Sequence, residues 1–137
     1  MSDDTNISLS TLAGDDLVTP FQIEGIGLRG RIARFGPLID DILSRHNYPE
    51  AVSILLGEAV VLASLFGSAL KFEGRLTLQT KGDGPVNMIV ADYDTSGSMR
   101  GYAMFDVQKV EALIEQGKTT SADLLGKGYL AMTIDQG

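Results

Sequence analysis

The apolar positions of the chain change period repeatedly, and each change marks an element. From Gly25 onward Ile26, Leu28, Gly30 and Ile32 alternate with Gly27, Arg29, Arg31 and Ala33. A period of two predicts a strand with one buried face, and Gly25 and Gly27 place a bend or bulge at its start. In "GPLIDDILSRHNYPE" the period lengthens. Leu38, Ile39, Ile42 and Leu43 fall at helical spacing behind Pro37, which suits a first turn. Asn47 and Pro49 end that short helix and open the next, a long apolar helix reaching about Lys71. Strict alternation returns in "EGRLTLQTKG", with Leu76 and Leu78 set against Arg75, Thr77 and Gln79. "PVNMIVADY" is apolar on both faces, as a central strand is. "MRGYAMFD" reads as a further strand. "VQKVEALIEQG" repeats Val107, Val110, Leu113 and Ile114 at helical spacing, with Gly117 as a stop. "TSADLLGKG" predicts a single helical turn, and "YLAMTI" a last strand.

The predicted order is strand, two helices, three meandering strands, helix, strand. That is an α+β fold, a mainly antiparallel sheet with helices packed on one face. Residues 1–16 hold four aspartates and no basic residue, the composition of a disordered acidic tail. Residues 17–137 then form one domain; apolar residues make up 44% of the full chain, enough to build a core.

The long helix raises a membrane question. "ILLGEAVVLASLFGSAL" (Ile54 to Leu70) has only one charge, Glu58. Its helical length of about 26 Å falls short of a hydrocarbon core of about 30 Å. Glu58 adds a cost, and the small residues Gly57, Ala59, Ala63, Ser64 and Gly67 suit close packing on protein. A buried core helix is expected and no membrane partner. The net charge of −7 argues against a nucleic-acid partner, since phosphate contacts need clustered Lys and Arg. There is no Cys and a single His, so neither a thiolate nor a multi-histidine metal site can be built from these residues. No signal-peptide pattern opens the chain, and a cytoplasmic location is expected.

Two loops invite chemistry. Gly82-Asp83-Gly84-Pro85 suggests a phosphate cradle, but a strand follows where such a loop needs a helix N-terminus. Gly82 and Gly84 are therefore read as turn residues of a tight hairpin, in which glycine permits a left-handed, positive-φ conformation. Asp92-Tyr93-Asp94-Thr95-Ser96-Gly97 begins like a calcium-binding EF-hand loop, yet its twelfth position is Ala103 rather than a bidentate Glu. The two acids also resemble the nucleophile motif of aspartate-dependent phosphatases, DxDx[TV], but Ser96 stands at the fifth position. Asp, Ser and Gly are what an ordinary turn prefers, and Gly97 is read as such. His46, at a helix end beside Asn47, reads as a dipole partner or surface residue rather than a base. A small metal- or phosphate-binding enzyme using Asp92 and Asp94 stays as the alternative reading; no cofactor within this chain and no enzymatic activity is the main one. Met88, Met99, Met104 and Met132 fall in predicted strands, where Met either fills core gaps or forms an adaptable surface.

"YPEAV" opening the long helix, then "LKFEG" (Leu70 to Gly74), "GDGP" (Gly82 to Pro85), "MRG" (Met99 to Gly101) and "GKGYL" (Gly126 to Leu130) resemble, in order and spacing, the 33-kDa heat-shock protein family. The resemblance spans roughly Gly25 to Asp135. It implies an ATP-independent, redox-regulated holdase chaperone of the bacterial cytoplasm, which binds unfolded or misfolded client proteins under oxidative and heat stress. Clients, and a homodimer, are the partners it implies. It also implies zinc held by four cysteines in a C-terminal module and released on oxidation. Those cysteines are absent here, so a fragment is expected: the N-terminal core, incomplete at its C-terminal end, with "YLAMTI" left as an open strand edge. Client binding is expected to be hydrophobic capture, with Met88, Ile89, Tyr102 and Met104 as candidate contacts.

Overall fold

The computed structural model describes residues 17–136, and the expected acidic tail at residues 1–16 lies outside them. The chain runs β1 (Leu17–Ile23), a 3-10 turn (Glu24–Ile26), β2 (Leu28–Arg34), α1 (Pro37–Ser44), α2 (Glu50–Ala69), β3 (Arg75–Gly82), β4 (Val86–Asp94), β5 (Met99–Phe105), α3 (Val107–Glu115), α4 (Ser121–Leu125) and β6 (Gly128–Asp135). It has two antiparallel sheets, a β1–β2 hairpin and a four-stranded sheet in the order β5-β4-β3-β6. The α+β class follows the hydrophobic pattern.

One element differs. The strand read through Ile26–Ala33 is the second arm of a hairpin whose first arm, β1, was hidden by Pro20. Pro lacks a ladder N–H, so it weakens any reading of "LVTPFQI" as a strand. Here β1 is an edge strand, with Pro20 opposite Arg31. Gly27, at φ 66°, closes the connection in a region that L side chains avoid. The hairpin also lacks the expected buried face. Ile26 and Leu28 are exposed, and only Gly30 and Ile32 of that row are half-buried.

Helix α2 lies across the four-stranded sheet. Its buried row is Val52, Leu55, Leu56, Ala59, Val60, Ala63, Ser64 and Gly67, a spacing that keeps one side toward the strands. Beneath it lie Leu76 and Leu78 of β3, Ile89 and Ala91 of β4 and Met99 of β5; Ile42, Val110 and Leu124 bring α1, α3 and α4 into the same core. By length and composition α2 is also apolar enough to cross a membrane; in this fold that row rests on the sheet.

Close approach depends on glycine. A Cβ at Gly101 would lie 3.0 Å from Val60 Cγ2 and 3.3 Å from Leu56 Cδ1. A Cβ at Gly67 would meet the ring of Tyr93, 2.6 Å from its Cγ. Gly57, also on α2, has nothing within 4 Å of such an atom.

These glycines predict opposite outcomes in urea unfolding. Gly101→Val overpacks the helix–sheet contact and lowers stability by about 1–3 kcal/mol. Gly57→Ala removes only the flexibility penalty of a mid-helix glycine and raises stability by about 0.5–1 kcal/mol.

Candidate functional site

The two acidic loops are built as turns. Gly82 to Val86 joins β3 to β4, and this turn docks on the α4–β6 connection. Asp83 N donates to Lys127 O at 2.9 Å and Gly84 N to Leu125 O at 3.0 Å; the Asp83 carboxylate accepts from Lys127 N at 2.6 Å. A Cβ on Gly84 would sit 2.5 Å from Leu124 O. Neither Gly82 nor Gly84 has positive φ, so close backbone contact, and not the left-handed conformation assumed from sequence, requires glycine at Gly84. The N–H groups that a phosphate would need at Asp83 and Gly84 are already spent on carbonyls. Helix α4 is fixed by a reciprocal cap, Asp123 N to Thr120 Oγ1 at 3.1 Å and Thr120 N to Asp123 Oδ2 at 3.3 Å.

The second loop closes on itself. Gly97, at φ 100°, takes the turn, with its N–H donating to Asp94 O at 2.8 Å. Asp94 Oδ1 accepts from Ser96 N at 2.9 Å, an Asx turn. That backbone hydrogen bond, with help from the Ser96 side chain, holds the Asp94 carboxyl below its ordinary value. Asp92 Oδ1 accepts from Thr77 Oγ1 at 2.6 Å and Oδ2 from Arg100 at 2.9 Å. Both oxygens of Asp92 are therefore engaged. Among the described residues no three His, Cys, Asp or Glu side chains gather as a metal site needs. His46 is exposed at the end of α1, tilted against Tyr48 with ring centroids 5.4 Å apart.

The four candidate client contacts do not share a surface. Strand pairing puts Met88 opposite Met104, and Val90 opposite Tyr102. Met88, Val90, Tyr102 and Met104 lie on the sheet face away from α2, where no residue is buried. Tyr102 is 43% exposed and Met104 49%. Ile89 points the other way and is 1% exposed in the core. Its place in the candidate set is corrected: a side chain under α2 offers no surface to a partner. The run "NMIVA" is apolar on both faces, so composition alone could not separate Met88 from Ile89.

A second uncovered apolar surface is on β6. Leu130, Met132 and Ile134 pair with Thr80, Leu78 and Leu76. They therefore lie on the α2 side of the sheet, beside two core residues. Even so, Leu130 is 56% exposed and Met132 45%, because α2 crosses β3–β5 and stops short of the last strand. The outer edges of the sheet also differ. At β5 the Ala103 N–H donates to the Tyr48 hydroxyl at 3.2 Å, which blunts that edge. Among the described residues β6 pairs only with β3, which leaves its other side an open edge. Alternation in "YLAMTI" is the signal for this surface. What it lacked was knowledge of where the helix ends.

Comparison with known proteins agrees with this fold. A family model described as Hsp33 protein matches residues 16–137. The "33 kDa chaperonin" of Caulobacter vibrioides is 54% identical over 134 residues, which cover 97% of this chain and 44% of that protein. The "33 kDa chaperonin" of Pseudoalteromonas translucida is 33% identical over 119 residues, covering 87% of this chain and 40% of the relative. The chain thus spans less than half the length of these curated relatives. The crystal structure of the 33 kDa chaperonin (heat shock protein 33 homolog) of Thermotoga maritima superposes with a TM-score of 0.59 at 23% identity, over 77% of this chain and 41% of that one.

The Asx turn predicts an acid-sensitive increment of stability. Because its folded pKa is lowered, the Asp94 contribution is present above the unfolded pKa and is lost as pH falls through the folded one. Urea midpoints measured on acidification should therefore fall less in Asp94→Asn, which keeps the acceptor oxygen, than in the parent chain.

Proposed function

Because the chain belongs to the Hsp33 family, we propose that it works as an ATP-independent holdase that captures unfolded or misfolded proteins by apolar contact and keeps them from aggregating. The observation that carries this reading is the row Leu130, Met132 and Ile134, exposed beside the core residues Leu76 and Leu78 on an edge strand. Tyr102 and Met104 supply a second apolar area on the opposite face, flanked by Met88.

The magnitudes suit transient capture. Covering about 400 Å² of apolar surface at about 25 cal/mol per Å² yields about 10 kcal/mol. Ordering a floppy client takes back several kcal/mol, which leaves a dissociation constant in the micromolar range or weaker. Dispersion and apolar burial are non-directional, so little sequence preference is needed. Methionine at positions 88, 104 and 132 adapts to varied partners, and a net charge of −7 keeps such a surface in solution. An extended client can also add main-chain hydrogen bonds along the open edge of β6.

Redox control, zinc and dimerisation belong to the same proposal, with a bacterial cytoplasmic setting. With no cysteine among the 137 residues, we assign any thiol or zinc switch to residues outside this sequence, acting on the core described here.

Light scattering from a chemically unfolded client tests the reading. The chain suppresses scattering without ATP. The double substitution Leu130→Ser/Met132→Ser weakens suppression several-fold, as does Tyr102→Ser/Met104→Ser, with unfolding free energies from urea titration shifted by less than about 1 kcal/mol. Stoichiometric calcium or magnesium binding by calorimetry, abolished by Asp94→Ala in a chain that never suppresses scattering, contradicts it and supports the ion-binding alternative.

A further inference from the structure

Helix α2 is apolar on its outer side as well. Ile54, Leu62 and Phe66 are exposed there, and beside Leu62 and Phe66 runs a groove of about 770 Å³ between the helix and the β1–β2 hairpin. Phe21, Leu62, Leu65 and Phe66 provide its apolar lining, while Arg29 and Arg31 stand on the hairpin side. A Cβ at Gly30 would lie 2.7 Å from Phe21 Cε1. The aromatic ring is therefore laid across the opposite strand and shapes the groove.

The charge pattern says what kind of segment fits. In a chain of net charge −7, β2 carries Arg29, Arg31 and Arg34 with no acid. Arg29 and Arg31 are exposed and enter no ion pair among the described residues. Toward α1 the groove continues into a second cavity that shares Leu62 and Leu65 and reaches Glu58. The apolar floor is thus basic at the hairpin end and acidic at the other. Phe66 and Glu58 are eight residues apart on one helix, about 12 Å.

We propose that this groove binds an apolar stretch of a client polypeptide that carries acidic residues at one end, seated against Arg29 and Arg31. The proposal rests on the holdase reading and names a client class for it. Apolar burial provides the attachment; the two guanidinium groups set orientation and preference, through charges that salt screens.

Fluorescence anisotropy with two labelled peptides tests it. They share one apolar stretch, flanked on one side by three Glu in the first and three Lys in the second. The acidic peptide binds the full chain about fivefold more tightly at low salt. The preference collapses at high salt and in Arg29→Ser/Arg31→Ser, and Phe66→Ser weakens both peptides. Equal binding, a preference for the basic peptide, or an unchanged preference in the arginine double variant overturns the proposal. So does a groove occupied by a second copy, seen as a dimer that Phe66→Ser converts to monomer while peptide binding is unaffected. Scattering assays on the same protein separate the two claims. Suppression without charge preference sinks only the groove, and preference without suppression sinks only the holdase.

Discussion

The packing of α2 on the four-stranded sheet is the contact on which everything else is hung. The helix is one of high apolar content on all sides, and a sheet can cover only one of them. Small residues on the covered side, Ala59, Ala63, Ser64 and Gly67, let the backbone come close, and Gly101 clears the space below Val60 and Leu56. Ser64 keeps its buried hydroxyl satisfied by donating to Val61 O at 2.6 Å, so the close contact strands no polar group there. The outer side of α2 and the last strand of the sheet lie beyond that contact, and they hold the apolar surface to which function is assigned.

The sequence signatures that mark the family make contacts between elements. "GDGP" and "GKGYL" meet in space, the first turn hydrogen-bonded to the second through Lys127 and Leu125. "LKFEG" holds the acidic turn: Thr95 N donates to Gly74 O at 2.9 Å, and Gly74 N to Thr95 Oγ1 at 3.0 Å. "MRG" places Gly101 under α2, and Tyr48 of "YPEAV" caps the β5 edge. Each motif fixes where one element stops against another. The proposed capture through exposed area needs that kind of constraint, since such a surface exists only where the frame leaves it uncovered.

Most of the frame was legible in the pattern of apolar residues. Periods of two and of helical spacing located α1, α2, α3 and β2 to β6, and even the single turn of α4. β1 escaped because Pro20 and Thr19 interrupt its pattern, and a two-stranded hairpin needs no buried row to exist. The surface was harder to read, for a physical reason. Period two says that Ile89 and Met88 face opposite ways, but not which of the two faces the helix covers. The exposure of Leu130 and Met132 depends on the reach of α2 across the sheet, a tertiary fact. Likewise the apolar outer side of α2 looked like core, because a helix apolar all round usually is. The loops at Asp83 and Asp92 are turns in the structure, and the glycine at position 84 serves close approach instead of a left-handed conformation.

The central claim is that a folded core offers its uncovered apolar strand and faces to clients without opening. Hydrogen–deuterium exchange of the chain, alone and loaded with an unfolded client, tests it most directly. The account predicts added protection in β6 and no faster exchange in the amides of α2, β3 and β4. Faster exchange in those core elements on loading, or a footprint confined to residues 92–97, would contradict it.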